Sequence, residues 1–302
     1  TQFASSAASD VYKRQISMHI KDWITLILLA AVWGSAFMFI KIAAPDLGPV
    51  MLVTVRLYLA GLLFLPFLLQ KKYLKLFKSH FNSIFILAIM NNALPFTMFA
   101  YASLGANSNM LAILNGTTAL MTTVLAYFWL KNKVSYLQAA GLLLGFLGIL
   151  VLVNPANAST TFVSSIACLV GAFCYSFCGC YIQRYASNLN AFVMIGWSMF
   201  FGALLITPFA FFNVPNSFPK TETILSLLWL GIISTGVAYL GYVRLIERIG
   251  AVRTSTVTYL IPAFGILWGS IFLNEQITLI ISIGFILILL GIYFSNSSAK
   301  EN

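Results

Sequence analysis

The sequence predicts an all-α, polytopic membrane protein of ten transmembrane helices, and three observations carry that prediction. Of 302 residues, 60% are apolar and 8% charged, whereas soluble domains run at about 25% charged. Seventeen Lys and Arg with seven Asp and Glu, at a mean hydropathy of +0.93, cannot cover a 33.3 kDa surface unless lipid replaces water as the solvent. Disorder, which needs low hydrophobicity, is excluded. The apolar runs are about 20 residues long, the length of a spanning helix, and lack the alternation of barrel strands. Finally, the basic residues gather in alternate breaks between runs.

Taken in order, the first run (22–44) stops at Pro45 to Pro49, and the second (49–70) at the basic stretch Lys71 to Lys78. The third and fourth cover 81–103 and 108–130, the latter ending at Lys131 to Lys133; the fifth (135–153) ends at Asn154–Thr161. The sixth (163–185) meets Ser187 to Asn190, the seventh (189–212) meets Asn213 to Thr223, and the eighth (223–245) meets Glu247 to Gly250. The ninth (251–273) ends at Asn274 to Thr278, and the tenth is 278–295. Residues 1–17, polar and Ser/Ala-rich before Met18, are expected to be a disordered leader or artefact outside the fold, and 298–302 a tail.

Lys and Arg in short loops stay on the cytoplasmic side. With the N-terminus inside, 14 of the 17 basic residues fall inside, only Lys41 and Lys220 fall outside, and Arg56 lies within a span. Both termini are therefore expected in the cytoplasm, in a multi-pass protein of the inner (cytoplasmic) membrane. The net charge of +10 reads as a topology signal, with no nucleic-acid partner.

The two halves resemble each other. A shift of 143 places Leu130 on Leu273, Ser135 on Thr278, Gly141 on Gly284 and Gly148 on Gly291; a shift of 142 places Pro66-Phe67 on Pro208-Phe209. An odd number of helices per copy makes the second copy enter the membrane upside down, an inverted repeat of the kind secondary transporters use, with the site near the midplane between halves.

The repeated ends, LKNKVSYLQAAGLLLGFLGILVL from Leu130 and LNEQITLIISIGFILILLGIYF from Leu273, resemble the closing helices of EamA domains in the drug/metabolite transporter superfamily. AVWGSAF from Ala31, Arg56-Leu57, and YLIPAFGILWGSIFLNE from Tyr259 to Glu275 carry the same resemblance. It spans two tandem EamA repeats, 18–154 and 155–297, with one departure: Asn132 stands where the first repeat usually has the acid that Glu275 supplies in the second. The resemblance implies ten helices, as two inverted five-helix repeats around a central cavity, alternating between inward-open and outward-open states. It implies an exporter or facilitator of small metabolites such as amino acids or related organic solutes; drug or toxic-compound efflux and nucleobase or sugar permeation are the alternatives within the same fold.

The residues themselves suggest a pathway. Arg56 sits seven residues past Pro49, about 10 Å into its helix, where an ionisable group points to function. It either attracts a substrate carboxylate or phosphate, or makes a gate contact, or is satisfied by backbone carbonyls at a broken helix. Asn115, Thr118 and Thr122 share one helix face, as do Thr235, Tyr239 and Tyr242, and Ser255, Tyr259 and Pro262; each stripe can line a wet cavity or make interhelical hydrogen bonds. Asn91 and Asn92 precede Pro95, whose missing N–H frees a carbonyl, so Asn92 either binds substrate or satisfies that break. Trp33 and its counterpart in the second half, Tyr175, which the shift of 142 superimposes, can stack on a substrate ring or pack on neighbours. The candidate pathway residues are thus Trp33, Arg56, Asn92, Asn115, Thr118, Tyr175, Tyr239 and Tyr259.

Cys168, Cys174, Cys178 and Cys180 lack His or carboxylate partners for a metal and read as packing residues; no catalytic residue, cofactor or metal is expected. An intramembrane enzyme needs a nucleophile with a base, or a metal cluster, at membrane depth, and His19 and His80 both lie outside the spans. A channel would need charged rings or a carbonyl filter. With no acid inside a span, a proton relay is not visible, and facilitated diffusion or exchange is expected. Gly141-x-x-x-Gly145 and Gly265-x-x-x-Gly269 allow close helix approach, here within one chain, so the expected partners are a small-molecule substrate and membrane lipid, with the protein a monomer rather than a dimer.

Overall fold

A computed structural model describes residues 19–131, 134–153, 159–187, 189–215 and 217–295. The expectations for 1–17, for Asn132 and for the 298–302 tail lie outside the described residues. Apart from one isolated bridge, Ala106 with Thr160, the described structure is helical. In chain order the helices are α1 (Ile20–Leu47), α2 (Pro49–Leu68), α3 (Lys71–Ser79), α4 (Phe81–Ala102), α5 (Ser108–Leu130), α6 (Tyr136–Val153), α7 (Phe162–Tyr185), α8 (Ala191–Phe211), α9 (Thr221–Ile249), α10 (Val257–Leu273) and α11 (Leu279–Ser295). Among the described residues, eight of these are long and apolar enough to cross a membrane, while α10 and α11 are apolar but 17 residues each.

Several boundaries differ from the sequence reading. Pro45 lies inside α1 and the turn falls at Gly48, whose φ of 74° suits a residue without Cβ. The basic stretch 71–78, read as a break, is helical: its apolar residues Tyr73, Leu74, Leu76 and Phe77 pack on the core, and tertiary packing decides for helix. The ninth run is interrupted. A single turn, Ala251–Thr254, precedes α10, and the Thr254 and Thr258 hydroxyls donate to the Gly250 and Ser255 carbonyls. Such local bonds offer the chain an alternative to a straight helix. α5 bends likewise at Thr117, whose hydroxyl donates to the Leu114 carbonyl.

Two helices carry wide turns. In α4, residues Ala88–Ala93 are π-helical, and the Leu94 N–H reaches the Ile89 carbonyl. The loosened turn sits just ahead of Pro95, whose ring would otherwise meet the Asn91 carbonyl. In α9 the π turn runs over Trp229–Val237, and the Ala238 N–H reaches Ile233. Bulges of this kind are frequent at functional sites.

The most extensive helix pairs are α6 with α11, α2 with α8, and α1 with α10; α7 packs on α4 and α5, and α9 on α1 and α2. Gly141, Gly145 and Gly148 of α6 bring that helix against α11, where a Cβ on Gly291 would stand 2.6 Å from the Gly145 Cα. The small-residue spacing therefore serves packing within the chain. Large apolar side chains such as Leu143, Leu150, Phe209 and Tyr293 are more than 60% exposed, an outer surface suited to lipid.

The helix ends carry the polar ties. At one end the Asp46 carboxylate accepts from the Lys220 N–H and the Thr223 hydroxyl, Lys41 donates to the Ser103 and Ala106 carbonyls, and Glu275 accepts from the backbone N–H groups of Ser108 and Asn109 at the start of α5. There the carboxylate satisfies donors that a helix start leaves free. At the opposite end Arg248 pairs with Asp22 at 2.6 Å and Arg184 donates to the Trp129 carbonyl.

Candidate functional site

The site is assembled around Arg56. One face of α2, with Leu52, Val53, Leu57 and Ala60, is fully buried, which turns the Arg56 guanidinium inward; the residue is only 5% exposed. Its Nε donates to the Thr235 hydroxyl at 2.8 Å, and its guanidinium carbon lies 4.0 Å from the Phe96 ring centroid. The π turn of α9 makes the first contact possible. The Thr235 hydroxyl donates to the Leu230 carbonyl five residues back, leaving its lone pairs to Arg56. The Ser234 carbonyl in the same turn accepts from the Trp33 indole at 2.9 Å.

The backbone carbonyls considered from sequence are therefore not the partners of Arg56; a hydroxyl and a ring are. Among the described residues its two terminal nitrogens have no hydrogen bond and no carboxylate partner. A planar fork of donors is thus left free, the geometry that matches a carboxylate or phosphate.

Arg56 belongs to the lining of a cavity of about 730 Å³, within the range of small-ligand sites. Trp33, Arg56, Asn115, Thr118, Tyr175, Tyr239 and Tyr259 all line it. Aromatic rings make much of its wall: Trp33 lies 5.3 Å from Tyr239 and 5.2 Å from Tyr242, and Tyr175 stacks on Phe99 at 6.1 Å. The wall continues to Val134, Gln138, Gln183 and Ser295 at the helix ends that also carry Arg184 and Arg248. The buried side chains Phe37, Ile40, Phe96 and Phe99 also belong to its lining. The lining holds one cation, Arg56, and no carboxylate among the described residues.

Asn92 is not brought to this cavity. It is fully buried and donates to the Ser198 hydroxyl at 2.9 Å, while its neighbour Asn91 lines the wall; the π turn rotates the pair away from the face an α-helix would present. The Thr118 and Thr122 hydroxyls line the cavity but donate to the Asn115 and Thr118 carbonyls of their own helix. Pro262, placed on a stripe from sequence, packs on Gly116 instead. The four cysteines are buried free thiols. Phe96 was not legible as a site residue, because no spacing signals that a ring of α4 will meet a guanidinium of α2.

The Arg56 contact has a counterpart. In the repeat register Ser198 corresponds to Arg56 at the shift of 142, and Thr235 to Asn92 at the shift of 143. Ser198 accepts from Asn92 as Thr235 accepts from Arg56, and the Ser198 hydroxyl donates back to the Ile195 carbonyl. The two π turns, 88–93 and 229–237, overlap in the same register. So do the non-glycine residues of positive φ among the described residues, Lys131 at 61° and Asn274 at 54°. The register points to Ser198 and Thr235 once Arg56 and Asn92 are chosen.

Comparison with known proteins gives a consistent picture. The model of the EamA-like transporter family matches residues 21–154 and 163–297. An uncharacterised transporter of Bacillus subtilis strain 168 is 24% identical over 282 residues, covering 91% of this chain and 97% of that protein. An uncharacterised transporter of Archaeoglobus fulgidus is 26% identical, covering 91% and 98%. A protein of Escherichia coli K12 named "Probable amino-acid metabolite efflux pump" is 24% identical, covering 92% and 95%. A crystal structure 17% identical in sequence matches with a TM-score of 0.61 over 90% of this chain and 94% of the other, a likeness of fold.

Proposed function

Since this chain belongs to the EamA-like transporter family, we propose that it is a secondary transporter carrying small organic solutes, amino acids or related metabolites, across the cytoplasmic membrane by alternating access. In this reading ten helices cross the membrane as two inverted five-helix repeats, and both termini are cytoplasmic. Helices α10 and α11, at 17 residues, reach the lower limit for spanning. Ties such as Asp46 with Lys220 and Asp22 with Arg248 join connections on the same side, as ten crossings require. The paired contacts also support the repeat: exchanging each helix with its counterpart in the other half carries α1 on α10 into α7 on α5, and α2 on α9 into α8 on α4.

One observation carries the substrate side of the proposal. Arg56 is a buried cation without a carboxylate partner among the described residues, and it lines a cavity walled by rings. A buried charge is costly unless paired, and a solute carboxylate entering the cavity supplies the pair, with its body against Trp33, Tyr239 and Tyr242. The lack of an acid in the lining among the described residues agrees with exchange or facilitated diffusion rather than a proton relay. The test is flux into proteoliposomes over a panel of metabolites. Wild-type protein gives saturable flux of at least one carboxylate solute, and Arg56→Ala lowers flux/KM by at least about tenfold, the scale of one charge-assisted hydrogen bond. Saturable flux untouched by the substitution would remove Arg56 from the site, and single-channel conductance in a planar bilayer would exclude a carrier.

A further inference from the structure

Helix α3 (Lys71–Ser79) has no place in the solute pathway, and its charges conflict with its own conformation. Lys71, Lys72, Lys75 and Lys78 are all exposed, at positions i, i+1, i+4 and i+7, so they form one stripe. Lys71 and Lys72 begin the helix, where the dipole disfavours cations, and Lys71 repels Lys75 one turn on. None of the four pairs with a carboxylate among the described residues, where the ion pair is Arg248 with Asp22. The Lys72 ammonium lies 5.5 Å from the Tyr73 ring.

The helix nevertheless holds, because its other side is docked. Phe77 stacks on Trp197 at 4.5 Å and Phe201 at 5.3 Å, and Tyr73 meets Phe192 at 5.7 Å. The lysine stripe is therefore fixed in direction, pointing away from α8. It also sits at a boundary: α3 joins the end of α2 to the start of α4, two helices apolar enough to span. Flanking it in the chain, Phe67 and Leu69 are about half exposed and Phe81 is 43% exposed, apolar surface available to acyl chains.

We propose that α3 is a binding surface for anionic phospholipid, with phosphodiester headgroups along Lys71, Lys72, Lys75 and Lys78 and tails against Phe67, Leu69 and Phe81. Each lysine near an anionic leaflet strengthens binding by about fivefold, and the counter-charge relieves the repulsion within the helix. Because the apolar side of α3 is already covered by α8, the surface acts by electrostatics rather than by inserting the helix.

Native mass spectrometry of the purified full chain tests this with phosphatidylglycerol and phosphatidylcholine of matched tails. Wild-type protein favours phosphatidylglycerol by at least about tenfold at low salt, and the preference falls as salt rises. The K71Q/K72Q/K75Q/K78Q variant loses the preference, while the fourfold Lys→Arg variant keeps it. Should the glutamine variant fail to fold, K75Q/K78Q, checked for an unchanged Tm in phosphatidylcholine, loses at least about fivefold. An unchanged preference in the glutamine variants overturns the proposal. So does complete displacement of phosphatidylglycerol by inorganic phosphate, which would mark a small-anion site.

Discussion

Arg56 is held by a ring beneath it and a hydroxyl at Nε, with its terminal nitrogens free, and each part of that arrangement has its own consequence. Thr235→Val removes the acceptor at Nε while keeping the shape of the side chain, so the guanidinium loses its orientation and keeps its charge. The expected result is a rise in KM of at least about tenfold with little change in maximal rate, read from flux kinetics, the loss of one hydrogen bond to a charged group. Arg56 could be read from the sequence because a lone charge in an apolar run is conspicuous. Thr235 stood out only as one member of a polar stripe; its partner is 179 residues away, and no local pattern joins them. Asn92 was legible only as a residue that binds substrate or satisfies the break before Pro95, because its partner, Ser198, is 106 residues away. A π turn inserts one residue, so Asn91 lines the cavity and Asn92 turns to Ser198.

At the scale of the helix, runs of apolar residues were readable because lipid-facing helices need them along their whole length. Their interruptions were less so: Thr117 and the stretch before Val257 bend through hydroxyls that compete with the backbone ladder, and Pro45 is tolerated within α1. The basic run became α3 because α8 covers its apolar face, a tertiary effect that charge alone conceals. Close packing of α6 on α11 makes a sharp prediction. A Cβ on Gly291 would stand 2.6 Å from the Gly145 Cα and 2.8 Å from the Gly141 carbonyl oxygen, and backbone cannot step aside. Gly291→Val is expected to destabilise by about 1–3 kcal/mol or more through overpacking, measured as a lower unfolding temperature in detergent. Gly179→Ala, with nothing within 4 Å of the new methyl and Ala the better helix former, does not lower that temperature.

For the molecule as a whole, the internal repeat of the sequence recurs in the structure as paired π turns, paired positive-φ residues and the Arg56–Thr235 and Asn92–Ser198 contacts. The halves differ where chemistry requires: one has a guanidinium at the contact, the other a serine hydroxyl. The proposed topology is tested by side-specific labelling, since the native cysteines are buried and give low background. Ser217→Cys, at the Asp46 end, reacts with an impermeant maleimide in intact cells, whereas Ser79→Cys reacts only after permeabilisation; the reverse would invert the orientation. In the proposed transport, recognition of the solute falls to the free fork of Arg56. Its most direct test compares flux of a carboxylate solute with that of its neutral amide in proteoliposomes. Wild-type protein should favour the carboxylate by at least about tenfold and Arg56→Gln should abolish the preference; an equal preference in both proteins would contradict it.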